Sequence, residues 1–121
     1  MPEITQPKPH ASAESAWVLR FAGLVPPGGP VLDLACGGGR HTRLFLRRGH
    51  PVTAVDRDLA GLADLRDTAS LEALRADLED GSPWPLPGRS FAAVVVTNYL
   101  HRPLLPHLPA LLQPGGLLIY E

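Results

Sequence analysis

Apolar residues recur at helical spacing near the start of the chain, at Trp17, Val18, Phe21, Ala22 and Val25, and predict an amphipathic helix. Ser12 stands where a cap is needed, Glu14 suits the helix's positive end, and Pro26-Pro27-Gly28-Gly29-Pro30 stops it. The period then changes. Val31-Leu32-Asp33-Leu34, followed by Ala35, Cys36 and three glycines, predicts a buried strand turning sharply into a helix over 40–48, with Gly49 ending it. Residues 51–56 form a second apolar run, and 58–66 a helix that buries Leu59, Leu62, Ala63 and Leu65. A strand over 71–76 is weak, because Glu72, Ala73 and Arg75 all favour helix. The proline-rich stretch 81–90 suits neither strand nor helix, whereas Phe91-Ala92-Ala93-Val94-Val95-Val96-Thr97 is the most β-prone run in the chain. Pro106 and Pro109 limit 104–113 to a short helix, Pro114-Gly115-Gly116 makes a turn, and a fifth strand begins at Leu117. Strands alternating with helices predict an α/β domain over 11–121, preceded by an extended lead-in over 1–10.

Composition narrows the class. The chain has 121 residues, 45% of them hydrophobic and 19% charged, as expected of one soluble domain. Eleven basic residues against twelve acidic give a net charge of -1, so no global field draws in nucleic acid or an anionic membrane. The single Cys36 excludes an internal disulfide and agrees with a cytoplasmic location. No apolar run approaches the roughly 18 residues of a membrane span, and Met1-Pro2-Glu3 lacks the layout of a signal peptide.

Candidate chemistry clusters after the strands. Glycines leave backbone uncovered, so a ligand can approach the main chain after the first strand. Asp56 lies 23 residues beyond Asp33 at the tip of the second strand. An acid so placed accepts hydrogen bonds from two ribose hydroxyls, or else caps the following helix. Residues 98–103 leave the carboxyl end of the fourth strand, where open α/β sheets bind ligands. There, His101 is the residue able to exchange a proton near neutral pH, as a general base, a positioning donor or a helix-entry residue. Arg40, Arg43 and Arg47 share one helix face and read as solvated, with Arg40 at the mouth of the glycine loop. Trp17 reads as a core anchor, or, by the family resemblance given below, as an active-site wall, and Trp84 as packing on the sheet edge or beside a ligand.

Asp33-x-Ala35-x-Gly37-x-Gly39 after a strand resembles the first motif of the class I S-adenosylmethionine-dependent methyltransferases, with Ala35 in the first glycine position. That substitution suits the loop if φ at Ala35 is negative. The string from Asp33 to Thr42 is similar to small domains grouped with the tellurite-resistance methyltransferases, and Leu112-x-Pro114-Gly115-Gly116-x-Leu118 also resembles the family. The resemblance implies a Rossmann-like three-layer α/β sandwich with a parallel sheet in the order 3-2-1-4-5, lacking the family's usual last two strands. It implies S-adenosylmethionine held by Asp33, Ala35, Cys36, Gly37, Gly39, Asp56, Arg57, Asp77, Leu78 and Asn98. In that assignment Arg57 stacks on the adenine, Asp77 accepts from its exocyclic amine and the Leu78 N–H meets a ring nitrogen. Tyr99 and His101 would act on the acceptor side, with no metal required. A small-molecule acceptor is expected, since Asn98-Tyr99-Leu100-His101 differs from the Asn-Pro-Pro-Tyr type that methylates bases.

Two other functions compete. A nicotinamide-dependent oxidoreductase would want a third glycine where Thr42 or Arg40 stands. A truncated, non-catalytic module would pair with a partner, or with a second copy as a homodimer, through the exposed edge of the fifth strand.

Overall fold

The computed structural model describes residues 13–121, so Ser12 and the 1–10 lead-in lie outside the described residues. Five strands, β1 (Val31–Leu34), β2 (Val52–Asp56), β3 (Leu71–Arg75), β4 (Phe91–Val96) and β5 (Leu112–Tyr120), form one sheet in the order β3-β2-β1-β4-β5. Every pairing is parallel, as the alternation of elements predicts.

The period-2 alternation of the central strands divides the core in two. Val31, Ala93 and Val95 face one side, where helices α1 (Ala16–Ala22) and α2 (Arg40–Arg47) cover them with Val18, Ala22, Leu44 and Phe45. Leu32, Leu34, Val94 and Val96 face the other, under Leu86, Leu104, Leu108 and Leu111. Helix, sheet and irregular cover thus make three layers. Phe45 is wholly buried, and burying a side chain of that size contributes about 1.5–3 kcal/mol.

Local structure departs from the sequence expectations at five places. Ser15 caps α1, its Oγ accepting from the Trp17 N–H at 3.1 Å and the Val18 N–H at 3.3 Å. Trp17 is 42% exposed and packs edge-on against Phe21, so it is neither a core anchor nor a wall of the site described below. Residues Ala60–Leu65 and Arg102–His107 are 3₁₀ rather than α-helical. In the second segment Pro106 removes the donor that would reach the Arg102 carbonyl, so an α-helical ladder cannot begin there, whereas Pro103 lies in the first turn and costs no ladder bond. The expected turn at Pro114-Gly115-Gly116 is absorbed into β5, which pairs Phe91 with Leu112 and Ala93 with Leu117, a bulge that takes up the extra residues. Gly116 is required there, because a Cβ would lie 2.8 Å from the Gln113 carbonyl oxygen. Among the described residues no helix is long and apolar enough to cross a membrane.

The arginine face of α2 is solvated, with Arg47 exposed, and each of its three arginines is also paired. Arg43 donates to both Asp64 carboxylate oxygens at 2.7 and 2.9 Å and to the Gly61 carbonyl at 2.7 Å. Arg47 pairs with Glu14, and Arg40 donates to the Ala13 carbonyl at 3.1 Å. The first contact holds the Ala60–Leu65 segment against the glycine loop; the other two hold the start of α1 on α2.

Candidate active site

The carboxyl ends of β1, β2, β3 and β4 surround a two-lobed crevice, located where strand order reverses between β1 and β4. One lobe, of about 430 Å3, is bordered by Asp56 and Arg57 after β2, by Asp77, Leu78 and Glu79 after β3, and by Tyr99 after β4. The other, of about 340 Å3, is bordered by Cys36, Gly37, Gly38, Arg40 and Thr97. Ala35 and Asn98 border both.

Ala35 has φ +56°, opposite in sign to the expectation for an alanine in this motif. Its backbone keeps the left-handed turn that glycine ordinarily supplies, so the loop retains its shape and the Cβ is tolerated under strain. Gly37 also has positive φ, +56°, and an added Cβ there would meet no protein atom, which leaves this backbone open to a ligand. Gly39, at φ +86°, begins α2 without a side-chain cap. Gly61, which the sequence reading passed over, is held so close to the loop that a Cβ would lie 2.8 Å from the Gly38 Cα.

The Asp56 carboxylate joins β2 to this loop. Its Oδ2 accepts from the Gly37 N–H at 2.9 Å and its Oδ1 from the Asp58 N–H at 3.0 Å. Each oxygen keeps a further acceptor site, and Asp56 borders the first lobe. Asp77 Oδ1 accepts from the Glu79 N–H at 2.8 Å, turning the chain after β3 so that Asp77, Leu78 and Glu79 all border the lobe.

Asp33 does not border either lobe. It is buried between Ala54 and Val95 on the neighbouring strands, and its Oδ2 accepts from the Thr42 hydroxyl at 2.7 Å, fixing the first turn of α2 behind the loop. Burial pushes its carboxyl up to about 6, against the lowering effect of the Thr42 hydrogen bonds. Cys36 does border the second lobe, and burial raises its thiol, so it is held as a neutral wall residue.

His41 escaped the sequence reading. It is buried at the start of α2, where its Nε2 accepts from the Ser15 N–H at 3.1 Å and its Nδ1 lies 3.4 Å from the Thr97 Oγ1. Burial first, and Arg40 next, lower its pKa to about 4, so the imidazole is neutral and anchors the start of α1 beside the second lobe. Ser15 Oγ in turn donates to Glu121 Oε1 at 2.7 Å.

Tyr99 and His101 converge on Glu79. The Tyr99 hydroxyl donates to Glu79 Oε2 at 2.9 Å, and His101 Nδ1 lies 3.5 Å from Glu79 Oε1. Desolvation, then the hydrogen bond to Glu79, pushes the Tyr99 phenol up to about 12. His101 borders neither lobe, and Trp84 stacks on His107 at 4.6 Å instead of beside the crevice. No group of three or more His, Cys, Asp or Glu residues able to hold a metal occurs among the described residues.

A glycine loop between β1 and a helix, an acid at the tip of β2 and a crevice at the topological switch point define a nucleotide-binding α/β protein. Comparison with known proteins narrows that class. A family model described as a methyltransferase domain matches residues 31–116. The trans-aconitate 2-methyltransferase of Delftia acidovorans is 36% identical over 100 residues, covering 75% of this chain and 37% of that protein. The solved 1,6-didemethyltoxoflavin-N1-methyltransferase of Burkholderia thailandensis is 30% identical with a TM-score of 0.64, over 84% of this chain and 47% of its own. A TehB-like S-adenosylmethionine-dependent methyltransferase from Corynebacterium glutamicum shares the fold at 22% identity and a TM-score of 0.66, over 83% of this chain and 58% of its own. The chain belongs to the class I methyltransferase-domain family. It spans little more than a third of the length of the first curated relative it matches.

Proposed function

We propose that this chain binds S-adenosylmethionine in the two-lobed crevice and transfers its methyl group to a small-molecule acceptor. The observation that carries the reading is the Asp56 carboxylate, bonded to the Gly37 N–H at 2.9 Å, which brings a diol-accepting acid and an open glycine backbone into one site. The relatives' names support the acceptor class, since trans-aconitate and 1,6-didemethyltoxoflavin are both small molecules.

The residues fit the cofactor. In this reading the Asp56 oxygens accept from the ribose hydroxyls, Arg57 covers the adenine and Asp77 accepts from its exocyclic amine. Leu78 supplies a backbone donor to the ring, while Ala35, Cys36, Gly37 and Asn98 border the space for the methionine end. Asp33 and Gly39 act from behind, by fixing the loop and the start of α2. S-adenosylmethionine itself supplies an electrophilic methyl carbon on a sulfonium, so the protein's task is to align the acceptor and exclude water. In this reading Tyr99, which borders the first lobe, orients the acceptor, and His101, beside Glu79 and outside both lobes, takes its proton.

Calorimetric titration with S-adenosylmethionine and S-adenosylhomocysteine tests the proposal. Micromolar binding by the folded chain is expected, and no binding by a folded chain overturns it.

A further inference from the structure

Among the bordering residues to which the proposed function gives no task is Glu79. Glu79 lies after β3, yet its two carboxylate oxygens reach two residues after β4: Oε2 accepts from the Tyr99 hydroxyl at 2.9 Å, and Oε1 lies 3.5 Å from His101 Nδ1. The Tyr99 end of the cluster is itself braced, because the Tyr120 hydroxyl donates to the Tyr99 carbonyl at 3.1 Å. The Asp77 hydrogen bond to the Glu79 N–H holds the other end. A carboxylate facing one nitrogen of an imidazole favours the tautomer with the proton on that nitrogen and leaves the other as the base.

The geometry points to Glu79 as a positioning residue: it holds His101 with its proton on Nδ1, so that Nε2 is the nitrogen able to take a proton from the acceptor, and it fixes Tyr99 beside it. This assignment rests on the proposed methyltransferase reading and supplies the orienting group that His101 needs there. In chemical terms the acceptor atom bonds the methyl carbon as the carbon–sulfur bond breaks, its electron pair leaving on the sulfur of S-adenosylhomocysteine. The acceptor's proton passes to the Nε2 lone pair, and the imidazolium that forms is balanced by the Glu79 carboxylate. No further co-reactant is required.

The tautomer can be read directly by long-range 1H–15N NMR of the imidazoles, above the ordinary imidazole titration range, with His101→Asn assigning the signals. The unsubstituted chain is expected to show the Nδ1–H form at His101, and Glu79→Ala to move it to the Nε2–H form that an unheld imidazole favours. The Tyr99 phenol, followed by its ultraviolet absorbance with Tyr99→Phe as the assignment, is expected to titrate lower in Glu79→Ala. Methyl transfer by Glu79→Ala should fall by roughly 100-fold, the lower end of what general-base catalysis contributes. An Nε2–H form in the unsubstituted chain, or an unchanged Nδ1–H form in Glu79→Ala, overturns the assignment. Binding of S-adenosylhomocysteine separates this failure from that of the underlying reading: binding with the wrong tautomer sinks the Glu79 role alone, and no binding by the folded chain overturns both.

Discussion

Ala35 and Asn98, which follow the paired strands β1 and β4, share the same unusual conformation, with φ +56° and +54°. They are the two non-glycine residues of positive φ among the described residues, and both border both lobes. Backbone strain is therefore concentrated where the parallel strands diverge and the ligand is expected to lie. Asparagine visits this region readily because its short polar side chain bonds locally, whereas alanine does not.

That contrast makes opposite predictions for the two positions. Ala35→Gly removes a left-handed cost of roughly 1–2 kcal/mol and adds roughly 0.5–1 kcal/mol of unfolded-state entropy. The variant is expected to gain about 0.5–1 kcal/mol, a rise of a few degrees in Tm, and to keep its affinity for S-adenosylhomocysteine. Asn98→Ala is expected to lower Tm. Thermal denaturation of both, with calorimetric titration of the first, checks the pair.

Gly61 offers a test of the loop from outside the crevice. Its missing Cβ is what allows the Ala60–Leu65 segment to lie against Gly38, since that atom would sit 2.8 Å from the Gly38 Cα and 3.3 Å from the Gly38 carbonyl carbon. Backbone on both sides cannot rotate away as a side chain can. Gly61→Ala is expected to cost roughly 1–3 kcal/mol, as overpacking does, and to weaken S-adenosylhomocysteine binding although residue 61 does not border the crevice. Retained affinity with unchanged Tm would show that the segment yields freely.

Asp56 is predicted to matter by its charge as well as its shape. Asp56→Ala removes the acceptor for the Gly37 and Asp58 N–H groups and the partner proposed for the ribose. Hydrogen bonds to a charged group contribute about 1.5–3 kcal/mol, so affinity for S-adenosylhomocysteine should fall by at least about tenfold. Asp56→Asn, which keeps one acceptor oxygen, should fall between. Equal affinity in all three proteins, measured by calorimetry, would remove Asp56 from the cofactor site.

Sequence alone carried the central sheet because β1 and β4 are buried on both faces, apolar but for Asp33, and their flanking glycines and prolines punctuate them sharply. The strand order and the bordering residues Asp56, Arg57, Asp77 and Leu78 were legible through the family motifs. What stayed hidden depends on contacts between distant segments. β3 contains helix-favouring Glu72, Ala73 and Arg75, and pairing with β2, with Glu72 bound to Arg89 at 2.8 Å, overrides that propensity. Asp33 reads as a ligand-facing acid, yet the Thr42 hydroxyl nine residues on claims it. Glu79 and Tyr99 are 20 residues apart and meet only because β3 and β4 deliver their loops to the same crevice. His41 looked like part of a loop motif, and its buried role depends on Ser15, 26 residues earlier.

The last prediction follows from Asp33 and His41, whose burial acts on stability in opposite directions. Asp33 rises from 3.8 to about 6 on folding, so between those values the native state holds a proton that the unfolded chain has lost. Stability from this group is therefore present at low pH and falls as pH rises toward 6, by on the order of 1.4 kcal/mol per pH unit within the window. His41 falls from 6.5 to about 4, so between those values the unfolded chain holds the extra proton and stability rises with pH. The two slopes overlap between about 4 and 6 and nearly cancel there. Asp33→Asn keeps an acceptor for the Thr42 hydroxyl but cannot titrate; its stability should climb with pH through this window more steeply than that of the parent. Replacing His41 with Asn should produce the opposite change, a stability that falls as pH rises from 4 to 6. Chemical denaturation of the three proteins at several pH values, taken as differences from the parent so that the surface carboxylates drop out, reads both slopes. Parallel pH profiles for parent and Asp33→Asn would mean that the Asp33 carboxyl has the same pKa folded and unfolded. The Thr42 hydrogen bond would then fully offset its desolvation.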